Sequence, residues 1–164
     1  MDALETLRDM HVAAKAAFQK IDSSPADQRG NLWAKLEPEL KLHEQIEERF
    51  LYGPMTNDLM SPSGALKDWE MHHEADVHNA EQLISRIEAL QPSHDDWLRT
   101  VGQLRDALEM HIQKEETQVW PEIRKQWGDD KLQAVAPAIE AAKAAAESGA
   151  TTADAMQKAD AAMR

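Results

Sequence analysis

Apolar residues recur at three- and four-residue steps along most of this chain, the signature of α-helices that each bury one stripe. The first run spans about Asp2 to Ile21, with Leu4, Leu7, His11, Ala14, Phe18 and Ile21 on one face. Asp22-Ser23-Ser24-Pro25 stops it. The second runs from about Leu32 to Tyr52, with Leu32, Leu36, Leu40, His43, Glu47 and Phe50 on its stripe. Pro38 falls inside that pattern and predicts a kink or a restart. Gly53-Pro54 predicts its end, followed by a loop from Met55 to Ser61.

A third helix is predicted from Ser61-Pro62 or Ser63, with serine as cap, to Leu90. Its stripe holds Leu66, Trp69, His73, Val77, Ala80 and Ile84, and Gln91-Pro92 ends it. The fourth starts at Ser93, with Asp96 in the capping-box position, and carries Trp97, Val101, Leu104, Leu108, His111 and Glu115. Pro121 should bend it and Gly128 should close it. An Ala-rich helix is expected from about Asp130 to Glu147, interrupted at Pro137 and stopped by Ser148-Gly149. Residues 150–164 either extend as a weak amphipathic helix or fray. The fold class is therefore all-α: an antiparallel up-down-up-down four-helix bundle over residues 1–128, with an Ala-rich helical tail over 129–164.

The apolar stripes contain polar residues that do not belong there. Each of the four long helices places one histidine on its buried face: His11, His43, His73 and His111. Two of these sit in a repeated pattern. His43-Glu44-Gln45-Ile46-Glu47-Glu48 runs on to Phe50-Leu51-Tyr52-Gly53-Pro54, and His111-Ile112-Gln113-Lys114-Glu115-Glu116 runs on to Val119-Trp120-Pro121. Residues i and i+4 share a helix face, so His43 with Glu47, and His111 with Glu115, each point one imidazole and one carboxylate the same way. A single buried histidine is ordinarily a hydrogen-bonded core residue. Two carboxylates on buried stripes are another matter, because an unpaired carboxylate in a core costs several kcal/mol or must protonate. A bound cation relieves that cost and uses the imidazoles as well. Glu70, Glu74 and His78 lie within a turn of His73 and are candidates for an added ligand. His72, His78 and His94 lie off the stripes and read as surface or loop residues, and Glu48 and Glu116 as outward-facing or supporting groups.

Composition narrows the chemistry. Of 164 residues, 30 are Asp or Glu and 18 are Lys or Arg, a net charge of −12. Such a polyanion is repelled by nucleic acid and anionic membranes, so neither is expected as a partner. The chain has no cysteine, which excludes disulfides, thiolate catalysis and Cys-ligated metal. The start Met1-Asp2-Ala3-Leu4-Glu5 has neither the basic residues nor the apolar run of a signal peptide, and the expected location is the cytoplasm.

At these residues the chain resembles a hemerythrin-like (HHE cation-binding) domain, over roughly residues 2–127. The first-helix match is Leu4-Glu5-Thr6-Leu7-Arg8-Asp9-Met10-His11, with Phe18 beyond it, and the two repeated stretches supply the second and fourth matches. The resemblance implies a non-haem site of two iron ions bridged by carboxylates inside a four-helix bundle. It implies that His11, His43, Glu47, His73, His111 and Glu115 hold the metal. Typical hemerythrins carry His-x-x-x-His in the third helix, whereas here His73 is followed at that spacing by Val77. Either one iron has an open position or a neighbouring carboxylate substitutes. The leading expectation is a protein that binds dioxygen or a related small ligand for storage, delivery or sensing. The alternatives are a di-iron oxidase, an enzyme reacting with peroxide or nitric oxide and served by an unidentified redox partner, and an iron-handling protein.

Overall fold

The computed structural model describes residues 1–58 and 64–164. Helices account for nearly all of them, and no strand occurs among the described residues. They are α1 (Ala3–Ser23), α2 (Ala26–Glu47), α3 (Gly53–Asp58), α4 (Gly64–Glu88), α5 (Asp95–Lys114), α6 (Trp120–Glu147) and α7 (Thr152–Ala162). Among the described residues no helix is long and apolar enough to cross a membrane.

The core lies in two clusters. Phe18 and Ile21 of α1, Trp33 and Leu36 of α2, Ile84 and Ile87 of α4, and Trp97, Val101 and Leu104 of α5 form one. All four long helices thus meet in a single apolar body. The other gathers Leu4 and Leu7, Leu42 and Ile46, Leu66 and Trp69, and Trp120 and Ile123. The tail joins it through Leu132, Ile139, Ala142, Ala155 and Ala159. On α1, α2 and α4 the stripe histidine falls between residues of the two clusters, and His111 falls between Leu104 and the Val119 and Trp120 that follow α5, so the polar stripe residues occupy the level where the apolar filling is interrupted.

Several boundaries differ from the sequence expectation. α2 begins at Ala26, behind Pro25, and not near Leu32. Its first turn is solvated, so apolar periodicity gives no sign of it, while Pro25 with its fixed φ suits the position before a helix. The helix passes through Pro38 without a break in assignment, and α6 passes through Pro137 in the same way. Tertiary packing outweighs the one backbone bond each proline removes. Met55 belongs to α3, not to a loop. The Ser61-Pro62 or Ser63 start of the third predicted helix lies outside the described residues. His94, not Ser93, caps α5: its Nδ1 accepts from the Asp96 amide at 3.1 Å. The last segment forms α7, capped by Thr151 Oγ1 accepting from the Asp154 amide, with Ala155 and Ala159 buried. Gly128 does interrupt its helix, at φ 78° and ψ 167°, a backbone state that glycine adopts at no steric cost.

Both repeated stretches end in a π-helical turn, Glu48–Tyr52 and Glu115–Val119. The residue before each proline closes it: the Gly53 amide donates to the Glu48 carbonyl, and the Trp120 amide to the Glu115 carbonyl. Proline has no amide of its own and crowds the preceding turn, and a widened turn absorbs this. Gly53 is needed for it, since a Cβ there would sit 2.7 Å from the Glu48 carbonyl oxygen.

α1 is tied to α6 at its N-terminus. The Asp2 carboxylate accepts from the amides of Leu4 and Glu5, Glu5 returns the capping box to the Asp2 amide, and Arg124 of α6 pairs with Asp2. Burial works to raise the Asp2 pKa, but the Arg124 guanidinium and the two amides outweigh it and hold the carboxyl below its ordinary 3.8. A group with a depressed folded pKa stabilises the fold above its unfolded pKa and loses that contribution as pH falls through the folded value. Asp2→Ala is therefore expected to lower stability by about 1–2 kcal/mol in urea titrations near neutral pH. The gap to the unsubstituted chain should narrow below pH 3.8.

Candidate metal centre

At the level between the two apolar clusters, α1, α2 and the end of α5 bring titratable groups together. His11, His43, Glu47 and Glu115 each offer a ligand atom within 4.8 Å of the others, the one such group among the described residues. His11 Nε2 lies 3.0 Å from His43 Nε2, 3.3 Å from Glu115 Oε2 and 4.0 Å from Glu47 Oε1. The i,i+4 pairs form as their spacing predicts. His43 Nε2 is 3.0 Å from Glu47 Oε1, and His111 Nε2 is 3.2 Å from Glu115 Oε1. The two carboxylates are almost fully buried, with side-chain exposures of 2% for Glu47 and 0% for Glu115.

His111 is thus joined to the cluster through Glu115. His73 stands behind it, its ring 5.7 Å from that of His111 and packed on Trp69 at 4.9 Å and Tyr52 at 5.2 Å. Its Nδ1 is buried and without a hydrogen-bond partner. Glu70, Glu74 and His78 point elsewhere. All three are exposed, and His78 bonds to Gln82. His72 is likewise exposed, with Nδ1 2.8 Å from the Asp68 carbonyl.

Neighbours fix the cluster in place. His11 Nδ1 lies 2.8 Å from Glu116 Oε1, and Arg8 approaches the other oxygen of Glu116 at 3.6 Å. An ionised carboxylate only accepts, so the ring proton belongs on Nδ1 and the Nε2 lone pair faces the cluster. The Trp120 indole stacks on His11 at 4.9 Å and 10°. Tyr52 donates to Glu115 Oε1 at 2.6 Å, and Trp120 Nε1 donates to the Tyr52 hydroxyl at 3.2 Å. Tyr52 falls in the tail of the first repeated stretch, and nothing in the i,i+4 pattern points to its hydroxyl. The second glutamates of the repeat diverge: Glu116 holds His11, whereas Glu48 is exposed.

The electrostatics are those of a site built around positive charge. Burial and the neighbouring Glu115 push the Glu47 carboxyl well above the usual range. Burial acts on Glu115 in the same direction, but the charge on His111 beside it outweighs that and holds the carboxyl well below the usual range. Burial likewise opposes charge on His111, yet Glu115 beside it lifts that imidazole to about 9. Burial pushes His43 down to about 4. Buried Glu47 Oε1 and Glu115 Oε2 have no hydrogen-bond partner, and neither does buried His43 Nδ1. Two unsatisfied carboxylate oxygens facing two converging imidazole nitrogens are a poor core and a good donor set for a cation that accepts mixed nitrogen and oxygen ligands.

The family model for the hemerythrin HHE cation-binding domain matches residues 2–123. The chain belongs to this family. No curated protein and no solved structure matches the chain. As in other hemerythrin HHE domains, cation binding is the property to assign to the His/Glu cluster. Helix α6 beyond residue 123 and all of α7 lie outside the match. The Glu116 contact supplies a direct test. Glu116→Ala should weaken metal affinity by roughly 10–100-fold, as removal of a ligand-orienting carboxylate does. Metal bound at saturation should stay unchanged. Titration with a competing chelator reads both quantities.

Proposed function

We propose that this hemerythrin HHE domain holds two iron ions and binds dioxygen or a related small ligand, for storage, delivery or sensing. The observation that carries the reading is the buried pair Glu47 and Glu115, each beside its own histidine, with His11 between them and one oxygen of each carboxylate unsatisfied. In this reading His11, His43, Glu47, His73, His111 and Glu115 hold the metal, in an antiparallel up-down-up-down bundle located in the cytoplasm. The meeting of the α1 and α4 C-terminal halves with the N-terminal halves of α2 and α5 supports that topology. When bound at these residues, iron would supply reversible electron donation to such a ligand.

The protein's own residues do the rest. Glu116 keeps the His11 lone pair turned inward. Tyr52 donates to Glu115 and restrains that carboxylate. Trp69 and Trp120, both fully buried, cover the imidazoles of His73, His111 and His11 and keep water from that side. Val77 favours a second reading. The aliphatic side chain in the third helix leaves room where typical relatives place a histidine, and this suits an oxidase or an enzyme reacting with peroxide or nitric oxide through a redox partner.

Anaerobic reconstitution followed by aeration and deaeration separates the readings. Reversible charge-transfer absorption through repeated cycles is expected of a carrier. Irreversible oxidation with peroxide consumption supports the enzyme. His43→Ala should lose both the absorption and most of the bound iron, and retention of both would show that the ligand set is wrong.

A further inference from the structure

A cavity of about 990 Å³ adjoins the His/Glu cluster and is partly open to solvent. At about 30 Å³ per water, it has room for on the order of thirty molecules. Dioxygen, with two atoms, needs a small fraction of it. Ligand cavities for organic molecules commonly fall between about 300 and 1,000 Å³.

The lining changes character along its length. His11, His43, Glu47 and His111 close one end. The body is apolar, with Ala14, Phe18, Leu40, Ala80, Ile84 and Leu108 from all four long helices. Lys41 and Glu44 of α2 and Glu81 of α4 add charged groups to the lining. Lys143, Ala146 and Glu147 of α6 complete the wall. These three lie beyond the family match, so part of the cavity belongs to this chain's own extension.

Charge restricts what can enter. Four of the five lysine and arginine side chains in the lining already pair with carboxylates: Lys41 with Glu37, Arg105 with Asp106, Lys114 with Asp68 and Lys143 with Glu147. The lining also carries eight carboxylates, Glu47 included. An anionic head group finds few free cations and an excess of like charge. An apolar body without charge finds the small and branched side chains it needs.

We propose that this cavity binds an uncharged, largely apolar organic molecule of medium size, seated along α1, α2, α4 and α5 beside the His/Glu cluster. The inference rests on the side chains alone and stands whichever metal the cluster holds. The test uses N-phenyl-1-naphthylamine, an uncharged probe that fluoresces in apolar surroundings, with the full chain. Saturable binding of one probe per chain is expected, with displacement by 1-decanol and at least tenfold weaker displacement by decanoate. Ala80→Trp and Leu40→Trp narrow the cavity away from the cluster: residue 80 lies seven positions beyond His73, and a side chain at 40 leans toward the helix N-terminus, away from His43. Each should weaken probe binding at least tenfold at unchanged metal content and unchanged helical circular dichroism. If one variant misfolds, the other decides, and the decanol–decanoate competition needs neither. Absence of saturable binding, or equal binding by both folded variants, would overturn the proposal. Displacement by decanoate as effective as by decanol would overturn the assignment to an uncharged ligand.

Discussion

Two carboxylates buried in a helical core are the constraint that the rest of this structure answers to. Glu47 and Glu115 are taken almost wholly out of water, and burial of an ionised carboxylate costs several kcal/mol unless positive charge and hydrogen bonds compensate. The protein provides part of that compensation. His43 and His111 stand one turn before the carboxylates, His11 crosses from α1, and Tyr52 donates a hydroxyl hydrogen bond. It does not complete it, because one oxygen on each carboxylate is left without a hydrogen bond. A purely structural core replaces such a pair with apolar residues at little loss. Retaining it makes sense where a cation supplies what the side chains leave out.

The same constraint organises the helices. Each stripe histidine sits between the two apolar clusters, so the bundle is filled on either side of the polar level and the polar groups converge there. The π turns that end the two repeated stretches begin at or next to the carboxylates, at Glu115 and Glu48. They let Gly53-Pro54 and Trp120-Pro121 continue the chain in helical form. The turn after Glu47 places Tyr52 against Glu115, and the turn after Glu115 leads into Trp120, which stacks on His11. Widened turns of this kind recur at functional sites.

The repeated His-x-x-x-Glu stretches were readable from sequence because their geometry is local: four residues on a helix make one face. The histidines on the apolar stripes were readable for the same reason. What sequence did not disclose is contact made across helices. Glu116 bonding to His11, Tyr52 bonding to Glu115 and Trp120 covering His11 join residues far apart in the chain, and nothing in their spacing specifies the partner. Helix ends were read poorly where polar first turns carry no periodicity, as at Ala26, and where prolines are absorbed within a helix, as at Pro38 and Pro137. His73 is intermediate. Its stripe position was legible, but its placement behind His111 on Trp69 depends on how α4 packs against α5.

In the function proposed above, Glu47 and Glu115 hold a pair of metal ions. Anomalous difference density at the iron edge, from crystals of anaerobically reconstituted protein, tests it most directly. Two peaks are predicted, both within bonding distance of these carboxylates and of the surrounding histidines. A single peak would contradict the di-iron reading, and density absent from this level of the bundle would contradict the metal site itself.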